Sequence, residues 1–408
     1  MAEHLVNSIF SEDIKTEKEH QITAGGTIEQ VAAVLSVDVG DDVKRKGDEF
    51  SEEIEKLFVA DLEKSAKLVE MGRVEAVDKM VHVSTFCVID GTVYATYYAN
   101  TQNAKEDPTY QTARIVYFPK ENPDELKILD VQSVGDTCSG LPVNLVYDTI
   151  LAKKDDETLY VLWTAKVGDN YYRLYRTFST KTKTLGEVGV NRFKVGETIN
   201  DFSTTGIQTA LAANGYPYKK MYSDIGIMQK FTSRVENGEK YYYTGTYSGD
   251  FTAIIKSKDF IEWEYVSQPD FINDSKWENA TYVIGDKCYY FVRQQDTVKY
   301  GFLTVYDLVK KTWETPVLIE DCQSRGDFIE YMGGLYLFHA PIDREHIGVV
   351  KIDKDNIANS RPVLQAKMKT SCFYPFIQYF ENGELAMSYT VQREHIRLAK
   401  FTLKKYLD

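Results

Sequence analysis

The spacing of apolar residues along the chain changes near residue 80. Between residues 48 and 72, apolar side chains recur every three or four positions on an otherwise charged segment, the pattern of an amphipathic helix that ends near Gly72. From residue 81 onward, apolar and polar residues alternate in short runs separated by turn residues, which predicts β-strands. The sequence therefore predicts an N-terminal helical extension followed by an all-β body.

The C-terminal part of this body contains a repeat. The sequence REHI occurs at residues 344–347 and again 49 residues later at 393–396. Each copy follows one apolar run and opens the next. A repeat of this length built from short strands is typical of β-propellers, whose blades are four-stranded sheets.

The predicted strands from residue 81 to the C-terminus fall into six groups of three or four. Turn dipeptides join the first strand to the second in five of the groups; they are Asp90-Gly91, Asn237-Gly238, Gly285-Asp286, Gly333-Gly334 and Asn382-Gly383. This spacing favours a six-bladed β-propeller over residues 80–408, with five or seven blades as alternatives.

The last group has only three strands. We expect the extension, residues 1–79, to supply the fourth strand from residues 31–39 and so remove an exposed sheet edge. The apolar face of the helix over residues 48–72 either packs on the body of the protein or forms a homodimer contact. A long irregular stretch, residues 187–223 with a short helix over 204–214, is either a lid or an insertion.

Composition narrows the range of partners. The net charge is −13 and the pI is about 5.1, which argues against a general nucleic-acid or anionic-membrane binder, since those need a basic surface. Five scattered cysteines without metal-ligand spacing indicate free thiols in a reducing compartment. The N-terminus lacks a signal-peptide pattern and no apolar run reaches membrane-spanning length. We therefore expect a cytoplasmic protein, and nothing in the sequence indicates a metal or cofactor.

Blade geometry predicts where a site would form. In an up-and-down blade, the start of the first strand and the turn between the second and third strands lie at the same end. The groups should therefore collect polar segments around one mouth of the central channel, on a rigid frame. The candidates at first-strand starts are His82, Asp224, Trp277, Glu278, Arg325, Asp327 and Tyr374. The candidates in the turns are Arg293, Arg344, His346, Arg393 and His395.

The chemistry of these residues indicates an acidic ligand. Several guanidinium groups at one mouth favour a carboxylate or sulfate held in forked geometry. We expect Glu278 and Asp224 to act as acid or base, with His82 as a further catalytic candidate. Tyr374 is a candidate nucleophile or proton donor, provided that its neighbours lower its pKa. Trp277 is a candidate for stacking on the ligand.

Several of these residues also have a structural interpretation. Histidines 346 and 395 belong to the REHI repeat, so His346 and His395 either contact substrate or bridge neighbouring blades. Asp327 either contacts substrate or pairs with an arginine. Asp148, at another first-strand start, is interpreted as structural.

Two segments resemble a known family. VHVSTFCVIDGTVYATYYAN (81–100) is similar to the opening blade of sialidase-type propellers, and SKDFIEWEY (257–265) resembles their Asp-box through Ser257, Asp259 and Trp263. In that family a glutamate, a pocket arginine and a nucleophilic tyrosine follow one another on late blades, the order of Glu278, Arg325 and Tyr374. His82 stands where the family has its first arginine.

The resemblance implies a carbohydrate-active enzyme rather than a typical sialidase. The first hypothesis is a glycoside hydrolase acting on an acidic, uronate-like or sialate-like, or other polar oligosaccharide. The second is a lyase that eliminates at a uronate, with Tyr374 or a histidine moving the proton. The third is a non-catalytic propeller that binds a partner.

Overall fold

A computed structural model describes residues 52–66, 70–71, 78–217, 221, 225–249, 251–269, 278–293, 300–320, 322, 324–341, 343–381 and 383–407. Over these residues the chain is mostly β, with two α-helices, α1 (Glu52–Ala66) and α2 (Thr204–Ala213). The strands form six sheets in a propeller arrangement of which five blades are seen. The predicted propeller architecture is therefore confirmed for a mostly β chain, and the count of six blades stays a prediction. Short 3₁₀ helices cover Pro108–Tyr110, Pro123–Glu125, Ile357–Asn359 and Leu403–Tyr406.

The sheets are numbered I to VI in chain order. Sheet I contains β2 (Met80–Ile89), β3 (Thr92–Asn100), β4 (Gln111–Pro119) and β5 (Lys127–Ser133). Sheet II contains β6 (Thr137–Cys138), β7 (Leu141–Lys153), β8 (Thr158–Val167), β9 (Asn170–Ser179), β10 (Thr184–Leu185) and β11 (Gly189–Val190). Sheet III contains β12 (Arg192–Val195), β13 (Thr198–Asp201), β14 (Gly226–Ile227), β15 (Thr232–Glu236), β16 (Glu239–Ser248), β17 (Phe251–Ser257) and β18 (Glu262–Ser267).

The remaining sheets are more regular. Sheet IV contains β19 (Asn279–Ile284), β20 (Lys287–Val292), β21 (Tyr300–Asp307), β22 (Thr312–Trp313) and β23 (Val317–Glu320). Sheet V contains β24 (Asp327–Tyr331), β25 (Gly334–His339), β26 (His346–Ile352) and β27 (Arg361–Lys367). Sheet VI contains β28 (Cys372–Glu381), β29 (Glu384–Val391), β30 (His395–Phe401) and the N-terminal strand β1 (Glu70–Met71).

Local turn chemistry explains why the strands reverse where they do. Asp90 and Gly91 both have positive φ, 47° and 72°, as the tight hairpin between β2 and β3 requires. The segment that resembles an Asp-box forms the turn from β17 to β18, where Asp259 Oδ1 accepts the backbone N–H groups of Ile261 (2.8 Å) and Glu262 (3.0 Å). Asp307 makes the same kind of turn in sheet IV, accepting from Val309 at 3.0 Å.

An N-terminal segment does complete the last sheet, but the residues differ from those predicted. Glu70 and Met71 pair with Arg397 and Ile396 of β30, so these two residues are strand rather than the end of a helix. Residues 31–39 lie outside the described part of the chain. Pairing at β30 gives sheet VI its fourth strand and covers its outer edge.

The apolar face of α1 packs on the propeller. Phe58 and Leu62 are fully buried, and the Phe58 ring makes edge contacts with Phe401 (5.5 Å) and Tyr406 (5.0 Å). Leu57 remains exposed. The helix face is therefore used within the chain, which is the first of the two interpretations given above. None of the described helices is long and apolar enough to span a membrane.

The irregular stretch after sheet II is an insertion along its described part. Strand β12 runs parallel to β18 and extends the outer edge of sheet III. Helix α2 begins at Ser203, whose Oγ accepts the Gly206 N–H at 3.0 Å, and buries Ile207 and Leu211. Their burial beside sheets II and III fixes this segment at the periphery of the propeller.

Sheet III differs from the predicted pattern at its first strand. Alternation predicts one strand over residues 225–231, but the structure has two strands, β14 and β15, separated by residues 228–231. Gln229 Nε2 lies 3.3 Å from the carbonyl oxygen of Pro375 in sheet VI. Lys230 Nζ lies 3.0 Å from Asp327 Oδ2 in sheet V. The strand breaks because its side chains tie sheet III to the opposite side of the ring.

Candidate active site at the mouth of the propeller

Bulges in three first strands aim side chains at the channel. The pairing of β2, β7 and β28 with their neighbours shifts register at His82/Thr85, Tyr147/Ile150 and Phe373/Phe376. At these bulges Val83, Asp148 and Tyr374 have φ values of 52°, 50° and 53°, in the left-handed region that non-glycine residues rarely adopt. Bulges re-aim side chains next to active sites, and here they point Asp148 and Tyr374 toward one centre.

The two REHI turns explain the repeat. Arg344 and Arg393 have φ values of 59° and 58°, and their carbonyl oxygens accept the N–H groups of Cys372 (2.7 Å) and Val81 (2.8 Å) in the next sheet. The backbone of each arginine therefore bridges neighbouring sheets, while its guanidinium group lies near Phe373 at the mouth. The repeat therefore links neighbouring sheets through its backbone and places two guanidinium groups next to Phe373.

Glu278, Arg293 and Tyr374 form the centre of the cluster. Arg293 Nη1 donates to Glu278 Oε2 and lies 3.3 Å from the Tyr374 hydroxyl. Burial alone would raise the pKa of Glu278, but the charges of Arg293 and Arg325 outweigh it and lower the pKa to about 2. Burial and the Glu278 charge raise the pKa of Tyr374. In this structure, then, the glutamate is ionised and the tyrosine is protonated at neutral pH.

Arg325 lies at the mouth but is committed to internal partners. Its Nη2 lies 2.7 Å from Asp148 Oδ1 and 3.1 Å from Glu278 Oε1, and its Nη1 donates to Gln229 Oε1 at 3.3 Å. The guanidinium carbon sits 4.9 Å from the centre of the Tyr374 ring. Arg325 is 1% exposed, and the structure shows it as an internal partner of Glu278; its predicted contact with a ligand stays a prediction.

His82 packs against the tyrosine. Its ring stacks on Tyr374 at 4.7 Å, and its Nδ1 lies 3.0 Å from Thr390 Oγ1. Burial, followed by the charges of Arg393 and Arg325, holds its pKa well below the usual value. The imidazole beside Tyr374 is therefore neutral at neutral pH.

Arg344 and Arg393 are the more accessible cations. Both guanidinium groups lie over the Phe373 ring, at 5.5 and 4.8 Å. Arg344 also donates to Ser324 Oγ. Arg393 Nε lies 2.9 Å from Glu106 Oε2, and its side chain is 39% exposed. These two groups remain able to meet a ligand from solvent.

Three of the predicted contact residues lie outside this cluster. His346 Nδ1 lies 2.7 Å from Asp343 Oδ2 and lines a groove beside α1. His395 Nε2 lies 4.0 Å from Glu394. His346 is the first residue of β26, and His395 is the first residue of β30. The repeat therefore places its arginines, and not its histidines, next to Phe373.

Asp327 is the third. It pairs with Lys230 across the channel and accepts the Ile377 N–H at 2.8 Å. Burial raises its pKa to about 6, against the opposing charge of Lys230. The alternative interpretation of Asp327 as a member of an ion pair is therefore the one the structure shows, with a lysine rather than an arginine as partner. Trp277 and Asp224 lie outside the described residues.

The sequence prediction missed Glu106 and Arg173, and it interpreted Asp148 as structural. Glu106, in the turn between β3 and β4, accepts the Tyr98 hydroxyl at 2.5 Å and pairs with Arg393. Asp148 pairs with Arg325 and also with Arg173, whose Nη1 donates to the Asp148 carbonyl at 3.0 Å. Glu106 lies in a turn between a second and a third strand, which blade geometry assigns to the mouth, so its position in the sequence could have identified it as a candidate. Arg173 lies within β9, and nothing in its position in the sequence indicates that it belongs to the site.

The assembled cluster carries excess positive charge. Its cations are Arg173, Arg293, Arg325, Arg344 and Arg393, and its anions are Glu106, Asp148 and Glu278. Among the described residues, these five positive and three negative groups leave a surplus of two, in a chain whose net charge is −13. Such a local field attracts and retains an anion.

Comparisons with solved structures bear on the fold. The chain superposes on the Trypanosoma rangeli sialidase bound to sialic acid with a TM-score of 0.51 and 15% identity over 80% of its length, and spans 55% of that protein. Superposition on a Hadza microbial sialidase gives a TM-score of 0.58 and 10% sequence identity, and covers 81% of this chain and 67% of that protein. Superposition on a leech intramolecular trans-sialidase gives a TM-score of 0.54 and 10% sequence identity, and covers 83% of this chain and 70% of that protein.

These comparisons define the class of fold. The chain has the sialidase-like β-propeller fold, at low sequence identity. No family model matches the sequence, and no curated protein sequence matches it. The chain also superposes on a protein of unknown function from Dyadobacter fermentans, with a TM-score of 0.51 and 11% sequence identity. The superposition covers 81% of this chain and 96% of that protein.

Proposed function

We propose that this chain is a glycoside hydrolase that acts on an oligosaccharide carrying an acidic sugar of the uronate or sialate type. The observation that carries the proposal is the shared contact of Arg293 with the Glu278 carboxylate and the Tyr374 hydroxyl, inside a cluster with surplus positive charge. The sialidase-like fold supports it at the level of architecture. We also take each of the six sheets as one blade, and residues 80–408 as the catalytic domain.

Tyr374 is the proposed nucleophile. Its hydroxyl oxygen would bond to the anomeric carbon as the glycosidic C–O bond breaks, and Glu278 would accept the phenolic proton. A glycosyl–tyrosine intermediate forms in the first step and water cleaves it in the second. The resting pKa of Glu278 is about 2, which makes it a weak base in the free protein. A substrate carboxylate held by Arg344 and Arg393 would offset the Arg344 charge, which helps to lower the pKa of Glu278, and would so raise that pKa when substrate is bound.

Glu106 is the proposed general acid for the leaving group: when the substrate carboxylate replaces it on Arg393, Glu106 takes up a proton from solvent and donates it to the departing oxygen. Its side chain is 36% exposed at the mouth, where a departing sugar would leave. The neighbouring Asp107 is occupied within its own turn, since its Oδ1 accepts Thr109 Oγ1 at 2.6 Å and Thr109 N at 3.1 Å. Glu106→Gln should therefore lower kcat by a factor of about 100, with Asp107→Asn as the control that retains most activity.

Arg344 and Arg393 are the proposed carboxylate clamp. Both lie on the Phe373 ring with their guanidinium groups toward the mouth, and an arginine pair can hold a carboxylate through forked hydrogen bonds. Arg325 has its donors committed to Asp148, Glu278 and Gln229, so it supports Glu278 instead.

The test is hydrolysis of a panel of oligosaccharides ending in sialate or uronate, alongside neutral analogues. We expect release of a reducing sugar from an acidic member only. Tyr374→Phe should abolish turnover and leave binding, measured by calorimetry, within about threefold. Tyr379→Phe is the matched control, because Tyr379 lies on the same strand but is exposed and donates to the Glu330 carbonyl at 2.8 Å. Equal activity in wild type and Tyr374→Phe would overturn the proposal.

The stacked pair of His82 and Tyr374 favours a second candidate, elimination at a uronate. A neutral imidazole can accept a proton, and an arginine can neutralise the uronate carboxylate. An unsaturated product absorbs in the ultraviolet and a hydrolysis product does not, so a spectrum of the reaction mixture separates the two. Binding without any turnover in wild type would instead favour a non-catalytic propeller.

A further inference from the structure

Five buried charged residues form an alternating chain below the mouth. The order is Arg173, Asp148, Arg325, Glu278 and Arg293, and it ends at the Tyr374 hydroxyl. Each of the five charged side chains is at most 8% exposed. This series of charged residues runs from sheet II through sheet V to sheet IV, and its last contact is with Tyr374 on sheet VI. It therefore joins sheets that are far apart in the ring.

The backbone of Asp148 places its carboxylate between Arg173 and Arg325. The bulge in β7 gives it a φ of 50°, an unfavourable conformation for a non-glycine residue. Tyr374 has the same conformation at the matching bulge of β28. Strain of this kind persists only where surrounding contacts enforce it, and both residues contact Arg325.

Three contacts fix the position of Arg325. Asp148 Oδ1 lies 2.7 Å from its Nη2, Glu278 Oε1 lies 3.2 Å from its Nε, and Gln229 Oε1 lies 3.3 Å from its Nη1. Of these, the Asp148 contact is the shortest and joins two opposite charges. Without it, the guanidinium group would have Glu278 as its one remaining anionic contact and would move away from sheet II, changing its place against the Tyr374 ring.

We propose that Asp148 is a positioning residue of the active site: it holds Arg325 against Glu278 and Tyr374, and so sets the geometry and charge around the reacting pair. This assignment rests on the proposed function for its kinetic consequence. Its structural consequence, a changed environment for Tyr374, does not depend on which substrate is turned over.

The test compares two neutralised aspartates in the full chain. Asp148→Asn keeps the shape of the side chain and removes its charge. Asp78→Asn does the same to a buried carboxylate that pairs with Arg114 at the edge of sheet I. Both variants should lose thermal stability, because each removes a buried carboxylate from an arginine. Asp148→Asn is the variant that should alter the site.

The first readout is the titration of Tyr374, followed by NMR of protein labelled at the tyrosine Cζ carbon. The Tyr374 signal is the one absent from Tyr374→Phe. The positive charge of Arg325 favours tyrosinate, so its displacement from the Tyr374 ring in Asp148→Asn should raise the midpoint by about one pH unit. Loss of the Asp148 charge with Arg325 in place would lower the midpoint instead and would also overturn the proposal. In Asp78→Asn the midpoint should stay at the wild-type value. Equal midpoints in the two variants would overturn the proposal.

The second readout is steady-state kinetics on the acidic substrate. Asp148→Asn should lower kcat at least about tenfold with KM within about twofold, because the clamp arginines are untouched. Equal kinetic losses in the two variants would show that Asp148 merely stabilises the fold. A wild-type protein that hydrolyses none of the panel refutes the proposed function, while the titration still decides the role of Asp148.

A third variant covers the case in which Asp148→Asn does not fold. Asp148→Glu keeps the charge but carries one more methylene, which displaces Arg325 from the Tyr374 ring. Positioning then predicts a changed chemical shift for the Tyr374 Cζ carbon. An unchanged shift would contradict it.

Discussion

Replacing Glu278 by glutamine tests the electrostatics of the cluster. The substitution keeps the size of the side chain and removes the anion that lies between Arg293 and Arg325. The pKa of Glu278 in the folded protein is about 2, against an ordinary value of 4.5. At about 1.4 kcal/mol for each pH unit, that difference corresponds to about 3 kcal/mol of stability at neutral pH. Breaking a buried ion pair typically costs about 3–5 kcal/mol, so the two arguments agree in size.

The pH dependence gives the prediction its sign. Because the pKa is depressed on folding, the contribution of Glu278 is fully present above about pH 4.5 and is lost as the pH falls toward 2. We therefore expect Glu278→Gln to be less stable than wild type by about 3 kcal/mol at pH 7, and the gap to narrow between pH 4.5 and pH 2.

Urea denaturation at a series of pH values measures this gap. The matched control is Glu314→Gln, a half-exposed glutamate at 3.4 Å from Lys287, whose loss should cost under about 1 kcal/mol. A Glu278→Gln variant as stable as wild type at pH 7, or a gap that does not depend on pH, would show that the carboxylate does not hold the arginines as described.

Three further predictions concern the channel, the clamp and the helix. Asp327→Asn should cost about 3–5 kcal/mol by leaving Lys230 without its anion, whereas the double variant Lys230→Met/Asp327→Asn should cost less than half as much in urea denaturation; equal costs would contradict the ion pair. Because the pKa of Asp327 rises to about 6 on folding, its contribution to wild-type stability should decrease as the pH rises from about 4 to about 6, a slope absent from the double variant. Arg393→Gln should raise KM for an acidic substrate about tenfold and leave a neutral analogue unaffected; a parallel rise for both would remove Arg393 from the clamp. Phe58→Ala should lower the free energy of unfolding by about 3–5 kcal/mol, since the ring fills a pocket between Phe401 and Tyr406; a loss below about 1 kcal/mol would mean that α1 does not pack there.

The grouping of strands was predictable because it depends on local rules. Alternation of apolar and polar residues reports which face of a strand is buried, and dipeptides such as Asp90-Gly91 report where the chain reverses. The placement of Glu278, Arg293, Arg344 and Tyr374 at one end follows from blade connectivity alone. The strand at 225–231 was wrong because its polar members have partners across the channel that periodicity cannot register.

The partners within the site were harder to predict. Arg325 was expected to face a ligand, but its donors meet Asp148 and Gln229, which are distant in the chain. Whether a buried arginine faces a ligand or a neighbour depends on distances of a few ångströms between sheets. Asp148 looked structural since nothing in its local sequence announces a bulge, and the left-handed backbone that aims it at Arg325 becomes visible only in the folded chain.

The most direct test of the account is to trap the intermediate. An acidic glycosyl fluoride whose sugar ring is deactivated by a further fluorine forms the covalent intermediate faster than water removes it. We predict that mass spectrometry of digested protein will find the sugar on the peptide containing Tyr374, in wild type and in Tyr379→Phe but not in Tyr374→Phe. Turnover of the acidic substrate with no adduct, or an adduct on another residue, would contradict the assignment of Tyr374 as nucleophile.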